Sequence, residues 1–459
     1  MTQHALISLF AGAGGLDLGL EMAGFQTRVA NELEPWGCET LRLNKSLCGV
    51  RGPKLKAFVA KVLEQKCYAK LDDTEKHSLT KRLLARPKSQ FLSEAAIIEG
   101  DIRKVSSNAF IEQCRLQPGE EVACIAGGPP CQPFSRAGKR QAVDDVRNGD
   151  LFYEFVRLVN DIRPRWFIFE NVKGLILTKT DLLWVKCAAC KKDSLALFQD
   201  RMAWGRDELT KATCPACGSK KTQTYTKTKA GGSLDIILTE FQRLGYLCQH
   251  TVLNAADFGA PQIRERLFIV GSRDQIPFEW PTPTHHKKPT NGSSVTQQLS
   301  IFNGHTPQKA HEPWVSMYDA LWSGGHSVHG ALDKELARLW VKNVVRPHDE
   351  PVTWSIDRPS PTIGAHQGAK LALAPVGVPE EQIFRQQWHT KGRRQGDTKP
   401  VPVVHAYLSD EELLRLQTFP SWWYLHGTRM QRAFQIGNAV PPLLAKAVGE
   451  AVIAADKLK

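Results

Sequence analysis

Residues 5–24 read ALISLFAGAGGLDLGLEMAG: an apolar run, a glycine-rich turn, then a run with helical spacing. The stretch 5–10 has the length and composition of a buried strand, and LDLGLEMAG that of a short helix. Glycines between a strand and a helix let the chain reverse sharply and let backbone amides approach the negative end of a ligand. The same turn also serves chains that bind nothing there, so it points to a fold class before it points to a function. Moving outward, EVACIAGG (121–128) and RWFIFEN (165–171) are further apolar runs ending in polar loops, with LFYEFVRLVNDI (151–162) at helical spacing between them. FQRLGY leads to a strand pair around 251–253 and 266–271. Strands alternating with helices predict an α/β fold with a doubly wound, mostly parallel, Rossmann-like sheet. Ligands in such sheets gather at the carboxyl ends of the strands. The run PPLLAKAVGEAVIAADKL (441–458) carries an apolar stripe and is expected to pack on this core.

Three stretches break the rhythm. Residues 42–90 carry 13 Lys/Arg against 4 Asp/Glu and look helical. Residues 186–230 carry 10 Lys/Arg against 4 Asp/Glu and contain paired cysteines. Residues 281–313 are rich in Pro, Thr, His and Asn and read as a linker or extended loop. The expected organisation is a core over 1–280 with inserts at 42–90 and 176–230, a linker and recognition region over 281–404, and a return to the core over 405–459. The 459 residues are 42% apolar and 23% charged, ordinary globular usage. The net charge of +13 suits either a polyanionic partner or a basic but inert surface. No run of 18 apolar residues could span a membrane. The opening MTQHALISLFAGAGG has neither the basic region nor the cleavage pattern of a secretory signal, so a cytoplasmic protein with reduced cysteines is expected.

Chemistry concentrates at two ends. Phe10-Ala11-Gly12-Ala13-Gly14-Gly15 forms the glycine turn, and Asn31-Glu32 closes the next strand. A carboxylate at that spacing takes ribose hydroxyls or caps a helix. Glu99-Gly100-Asp101-Ile102 closes a third strand, where Asp101 either accepts an adenine amino group or holds a turn. At the other end lies Gly127-Gly128-Pro129-Pro130-Cys131-Gln132-Pro133-Phe134-Ser135. A cysteine in a rigid Gly-Pro loop at a strand end is placed for nucleophilic attack once nearby cations favour its thiolate. A packed structural cysteine is the alternative. Glu170-Asn171-Val172 closes a strand, and a buried Glu170 would hold and lend a proton. In Gln262-Ile263-Arg264-Glu265-Arg266, alternation puts both arginines on one face, for anion contact or for solvent.

In this order the motifs resemble those of the DNA cytosine-5 methyltransferase family, over nearly the whole chain apart from the inserts. SLFAGAGGLDLG, GGPPCQPFS, FENV, APQIRER, RPSPTI (358–363), LSDEELLRLQTFP (408–420) and QIGNAVPP (435–442) carry the resemblance. It implies an S-adenosylmethionine-dependent methyltransferase acting on carbon 5 of cytosine in duplex DNA. Cys131 would attack carbon 6 of a flipped base, Glu170 would bind ring nitrogen 3 and the amino group, Arg266 would hold the carbonyl oxygen, and Arg264 would support the pocket. The cofactor would lie along Phe10, Ala13, Gly14, Gly15, Glu32, Leu33, Asp101, Ile102, Pro129, Leu151, Asn438 and Val440. The loop with Gln132 and Ser135 would close over the DNA, since the attacked carbon is inaccessible inside a stacked duplex. Two positions depart from the family pattern: Ser8 stands where Asp is frequent, and Leu33 where an aromatic residue is frequent.

Cys187-Ala-Ala-Cys190 and Cys214-Pro-Ala-Cys217 are separated by 23 residues, a spacing that matches a structural zinc site with no open position for water. This unit carries Lys191, Lys192, Lys220 and Lys221 and follows Glu170 closely, so it is expected either to contact DNA or to clasp a long loop. WVSMYDALW (314–322) resembles the family's lead-in to its recognition region; recognition would be shared among 323–354, 366–404 and the zinc insert. Rival readings are a tRNA cytosine-5 methyltransferase, a non-catalytic DNA-binding homologue and a small-molecule methyltransferase. The absence of recognisable chromatin-reading modules suggests a prokaryotic or phage-type enzyme, associated with the nucleoid and partnered with a cognate nuclease or defence proteins.

Overall fold

The protein is described here from a computed structural model over residues 4–65, 68, 73–86, 91–130, 151–205, 208–287, 312–322, 337–341, 352–364, 371–375 and 406–457. The opening stretch folds as its spacing predicts: strand β1 is His4–Leu9 and helix α1 is Gly15–Ala23. The chain continues through β2 (Phe25–Glu32), α2 (Pro35–Ser46), α3 (Gly52–Leu63), α4 (Asp73–Leu84), β3 (Ala96–Glu99), α5 (Ser107–Cys114) and β4 (Cys124–Gly127). Then come α6 (Leu151–Ile162), β5 (Trp166–Val172), β6 (Lys179–Cys187), β7 (Asp193–Leu195), α7 (Phe198–Gly205), β8 (Thr222–Ala230), α8 (Gly232–Arg243), β9 (Leu247–Asn254) and β10 (Glu265–Ser272). Seven strands form the central sheet in the order β3-β2-β1-β4-β5-β10-β9. The first five run parallel, and β10 pairs antiparallel with both β5 and β9. The expected strand pair near the end of this run is therefore longer than its apolar cores and turns the sheet from parallel to mixed.

Alternation along each strand assigns its side chains to two covered faces. Ile7, Leu9, Ile125, Phe167, Phe169, Leu267 and Ile269 meet Phe152 and Phe155 of α6 and Ile237 and Phe241 of α8. Their neighbours Leu6, Cys124, Ala126, Trp166, Ile168 and Phe268 meet Leu16 and Leu20 of α1. The same face takes Leu444, Val448 and Val452 of the last helix, which is named below. Burial on both faces is why these strands read as unbroken apolar runs.

Four further helices complete the described fold: α9 (Met317–Trp322), α10 (Asp410–Leu416), α11 (Arg429–Asn438) and α12 (Pro442–Asp456). Helix α12 lies against α1, where a Cβ on Gly19 would stand 2.3 Å from the Pro442 carbonyl oxygen. That closeness lets a helix from the end of the chain seal the first β–α unit. Capping boxes open α10 at Ser409/Glu412 and α11 at Thr428/Gln431, satisfying amides that have no partner within the helix.

The basic 42–90 stretch contributes α3 and α4, whose Leu55, Val59, Val62, Leu79 and Leu83 cluster with Tyr424. The paired-cysteine stretch makes a three-stranded sheet in the order β7-β6-β8. A four-stranded sheet lies within 337–407. No helix among the described residues is long and apolar enough to cross a membrane.

Candidate functional site

Strand β4 ends at Gly127, and Gly128-Pro129-Pro130 follows at the carboxyl edge of the sheet. A Cβ on Gly128 would stand 2.5 Å from Glu170 Oε2, so only glycine lets the loop root lie against that carboxylate. Asn171 Nδ2 donates to the Pro129 carbonyl at 3.1 Å and ties the same root to the end of β5. Nothing in the sequence assigns Asn171 a role; its place between Glu170 and the exposed Val172 is the signal that marks it. Cys131, Gln132 and Ser135 lie outside the described residues, but the chain reaches Pro130 already fixed beside Glu170.

Glu170 is buried, and Arg266 Nε lies 3.0 Å from its Oε1. The antiparallel register makes this pair, because Arg266 stands across from Val172 and Phe268 across from Glu170. Burial pushes the Glu170 carboxyl above the usual carboxylate range, while Arg266 and Arg264 pull it part of the way back. The result is a carboxyl that holds a proton more readily than a solvated one.

Arg264 is only 1% exposed. Its Nη1 donates to the Ile363 carbonyl at 3.0 Å and its Nη2 to the Gly437 carbonyl at 2.8 Å. It therefore binds three separated motifs together from behind, which suits a support for the pocket rather than a contact to an anion. Neighbouring backbone extends the seam: Ile263 N donates to Ser360 O, Ser360 N to Pro261 O, and Ile363 N to Gln262 Oε1. The amide of Gln262 also donates to Leu416 O.

The residues expected along a cofactor sit at the carboxyl ends of β1, β2, β3 and β4, which all point one way. Phe10 turns the corner with φ of 57°, a costly value for a side chain with a Cβ. Glu32 is buried, its Oε2 accepting from Gly12 N at 2.7 Å and its Oε1 from Glu34 N at 2.9 Å. Each oxygen keeps a lone pair beyond these bonds. Leu33, next along, is 56% exposed. Asp101 accepts from the amide and guanidinium of Arg103, which is the turn-holding role, and Ile102 is buried behind it. Ala13 and Gly14 lead into α1, which begins at Gly15, and a Cβ on Gly15 would lie 2.4 Å from the Val440 carbonyl oxygen. Pro129 and Leu151 are buried at the same sheet end, while Asn438 is exposed.

Behind this turn the departure at Ser8 has a counterpart. Asp17 of α1 is fully buried, and its carboxyl faces the Ser8 hydroxyl without an aligned hydrogen bond among the described residues. Burial pushes it to about 6.

The Sγ atoms of Cys187, Cys190, Cys214 and Cys217 all lie within 4.8 Å of one another. Cys187 and Cys217 approach to 3.7 Å, and Cys190 and Cys214 to 3.6 Å. These separations are too long for disulfides and close to the ~3.8 Å sulfur spacing that ~2.3 Å zinc–sulfur bonds impose on a tetrahedron. Both turns close alike: Cys187 N donates to Lys192 O, and Cys214 N to Ser219 O. Lys191 and Gly218 hold matching positive φ values of 60° and 72°.

A family model described as C-5 cytosine-specific DNA methylase matches residues 4–55, 88–190 and 223–454. The unmatched gaps fall in the α3–α4 insert and across the second cysteine pair. Type II methyltransferase M.AquIA of Picosynechococcus sp. is 31% identical over 319 residues, 70% of this chain and 88% of that protein. Type II methyltransferase M1.HphI of Haemophilus parahaemolyticus is 27% identical over 461 residues, 97% of this chain and 86% of that protein. A crystal structure of a Spodoptera frugiperda DNMT2 mutant aligns with a TM-score of 0.50 at 13% identity, covering 98% of this chain and 100% of that one, a likeness of fold.

Proposed function

The chain belongs to the C-5 cytosine-specific DNA methylase family, and we propose that it methylates carbon 5 of a cytosine flipped from duplex DNA, with Cys131 as covalent nucleophile. The observation that carries this is the junction of Gly128 with Glu170, where the root of the cysteine loop meets a buried carboxyl held by Arg266. The Cys131 thiolate adds to carbon 6 of the base, and the electron pair of the 5,6 double bond moves toward carbon 5. Glu170 binds ring nitrogen 3 and the amino group and steadies the charge that develops in the ring. Arg266, held by Glu170, addresses the carbonyl oxygen, and Arg264 keeps the two aligned by fixing the strand against Ile363 and Gly437. Once carbon 5 carries the new methyl group, its proton passes to solvent, the freed electron pair re-forms the 5,6 double bond, and the carbon 6–sulfur bond breaks with Cys131 leaving as thiolate.

S-adenosylmethionine would supply the methyl group as an electrophile. The residues present fit it: an exposed Leu33 offers an apolar face beside Glu32, whose oxygens retain lone pairs suited to hydroxyl donors. Phe10, Ala13, Gly14, Gly15, Asp101, Ile102, Pro129, Leu151, Asn438 and Val440 would complete that cleft. The four cysteines fit a structural zinc ion, since four soft donors at tetrahedral spacing leave no position for water. One zinc per chain by elemental analysis is the expected content. Lys191, Lys192, Lys220 and Lys221 cluster around this centre and would meet DNA phosphate. Names of the relatives support a place in restriction-modification, with the chain marking DNA against a cognate nuclease.

The test is transfer of labelled methyl groups to mixed-sequence duplex DNA and to tRNA, wild type beside Cys131→Ala. Label in the cytosine of DNA, lost in the variant, is expected. Label confined to tRNA, or undiminished in the variant, would overturn the assignment of substrate or of nucleophile.

A further inference from the structure

Strand β8 is exposed along nearly its whole length. Its sequence TQTYTKTKA has no apolar face, and eight of its nine residues are exposed. It pairs with β6 along nine residue pairs, from Lys179↔Ala230 to Cys187↔Thr222, and forms one edge of the small sheet. Its partner is buried through Leu182 on the main core and through Leu183 and Val185 beneath Ala196 and Ala212. The neighbouring strand thus supplies the anchorage, and β8 projects past its cover on both sides. An exposed edge strand invites pairing with other chains, and alternating Thr and Lys opposes that. Hydroxyls and amines along an open strand are also the groups that contact nucleic-acid phosphate.

Alternation places Lys221, Gln223, Tyr225, Lys227 and Lys229 on one face. The ladder extends to Lys221, whose carbonyl accepts from Ala188 N. Across the ladder, Lys186 stands beside Gln223 on the same face. Among the described residues, two acids are engaged on this face: Asp193 accepts from the Tyr225 hydroxyl at 2.6 Å, and Asp235 pairs with Lys229 at 2.8 Å. Lys186 and Lys227 are in no ion pair among the described residues. The face spans roughly 26 Å from Lys221 to Lys229 at about 3.3 Å per residue, the rise of about eight base pairs. Its lower end is rooted at the catalytic edge, for Gly231 N donates to Thr178 O just beyond the end of β5.

We propose that the lysine face of β8, with Lys186 beside it, is a backbone-tracking contact that holds duplex DNA alongside the site where the target base is extracted. It extends DNA contact from the cysteine turns at the far end of the arm down to its root. This rests on the assignment of DNA as substrate, and the two are separable. Charge complementarity favours the duplex over a second copy of the chain, because two such faces would repel each other.

The experiment compares wild type with Lys186→Gln/Lys227→Gln in the full-length, zinc-loaded protein. Binding to a mixed-sequence duplex is measured from about 50 to 200 mM salt, with methyl-transfer kinetics and sedimentation on the same samples. The expected result is a salt slope shallower by about 2, affinity weaker on the order of tenfold, a raised KM for DNA and an unchanged kcat. Unchanged slope and KM, with methyl transfer intact, overturn the β8 contact and leave the substrate assignment standing. A change in sedimentation alone, with the DNA slope unmoved, overturns it in favour of self-association. Absence of methyl transfer to DNA by the wild type overturns both.

Discussion

Two neighbouring regions of this chain handle charge in opposite ways. From Glu170 to Val172 the charge is buried and committed: Glu170 holds Arg266, and Arg264 spends its guanidinium on two backbone carbonyls. A few residues later, β6 and β8 begin an arm whose lysines stand in solvent. In the first region, each charge is fixed by partners drawn from distant parts of the sequence, so one altered group disturbs several segments. In the second, charges act additively on whatever approaches, and each one matters little. A buried network gives position, and an exposed array gives attraction.

The comparison is sharpest where the buried side is cut. Glu170→Gln is expected to lower kcat on the order of 10³-fold, about 4 kcal/mol of transition-state stabilisation, because the amide cannot supply the proton. Steady-state kinetics with saturating DNA would measure it, and a loss confined to KM would show that Glu170 serves binding alone. Arg264→Met is expected to cost about 4 kcal/mol of stability, since it leaves two buried carbonyls without donors and Glu170 without part of its counter-charge. Denaturant unfolding would report this. A cost below about 1 kcal/mol would mean that the backbone bonds and Gln262 hold the seam between the late motifs without Arg264.

Much of the buried region was legible because its chemistry is written in short runs. Strands covered on both faces appear as ISLF, CIAG and FIF, and the helix between two of them, Leu151–Ile162, falls where its spacing places it. The pair Glu170–Arg266 was legible as two motifs but not as a pair, since only the register of β10 on β5 brings them together. The clamp of Arg264 on Ile363 and Gly437 spans 99 and 173 residues, and no local pattern encodes such a closure. The paired cysteines were readable because ligand spacing is itself local. Strand β8 was not, because a strand exposed on both faces has no hydrophobic period to detect.

Asp17 carries the buried logic into the first helix, with an effect set by pH. Its folded-state value of about 6 lies above the ordinary aspartate value of 3.8. Stability from this group is therefore fully present below the unfolded value and is lost as pH rises through the folded one. The difference in unfolding free energy between wild type and Asp17→Asn should shift by roughly 2 kcal/mol between pH 4 and pH 7, in favour of the variant at the higher pH. Urea titrations across that range would measure it. Parallel curves would show that Asp17 is ionised in the fold and has found a partner beyond Ser8.

On the exposed side the smallest effect is the most diagnostic. Changing Lys191, Lys192, Lys220 and Lys221 together to Gln should leave unfolding within about 0.5 kcal/mol of wild type, because these side chains sit on the surface of the cysteine turns. It should also leave kcat unaltered, since among the described residues none of these side chains bonds to Glu170, Arg264 or Arg266. What should change is the salt dependence of DNA binding, flattened by up to about 3.6 in slope if all four meet phosphate. Additivity is the decisive feature: each lysine restored singly should return about one quarter of the slope. If a single restoration returns most of it, the turn behaves as a built pocket for one phosphate, and the contrast between a positioned region and an additive one fails at the zinc end of the arm.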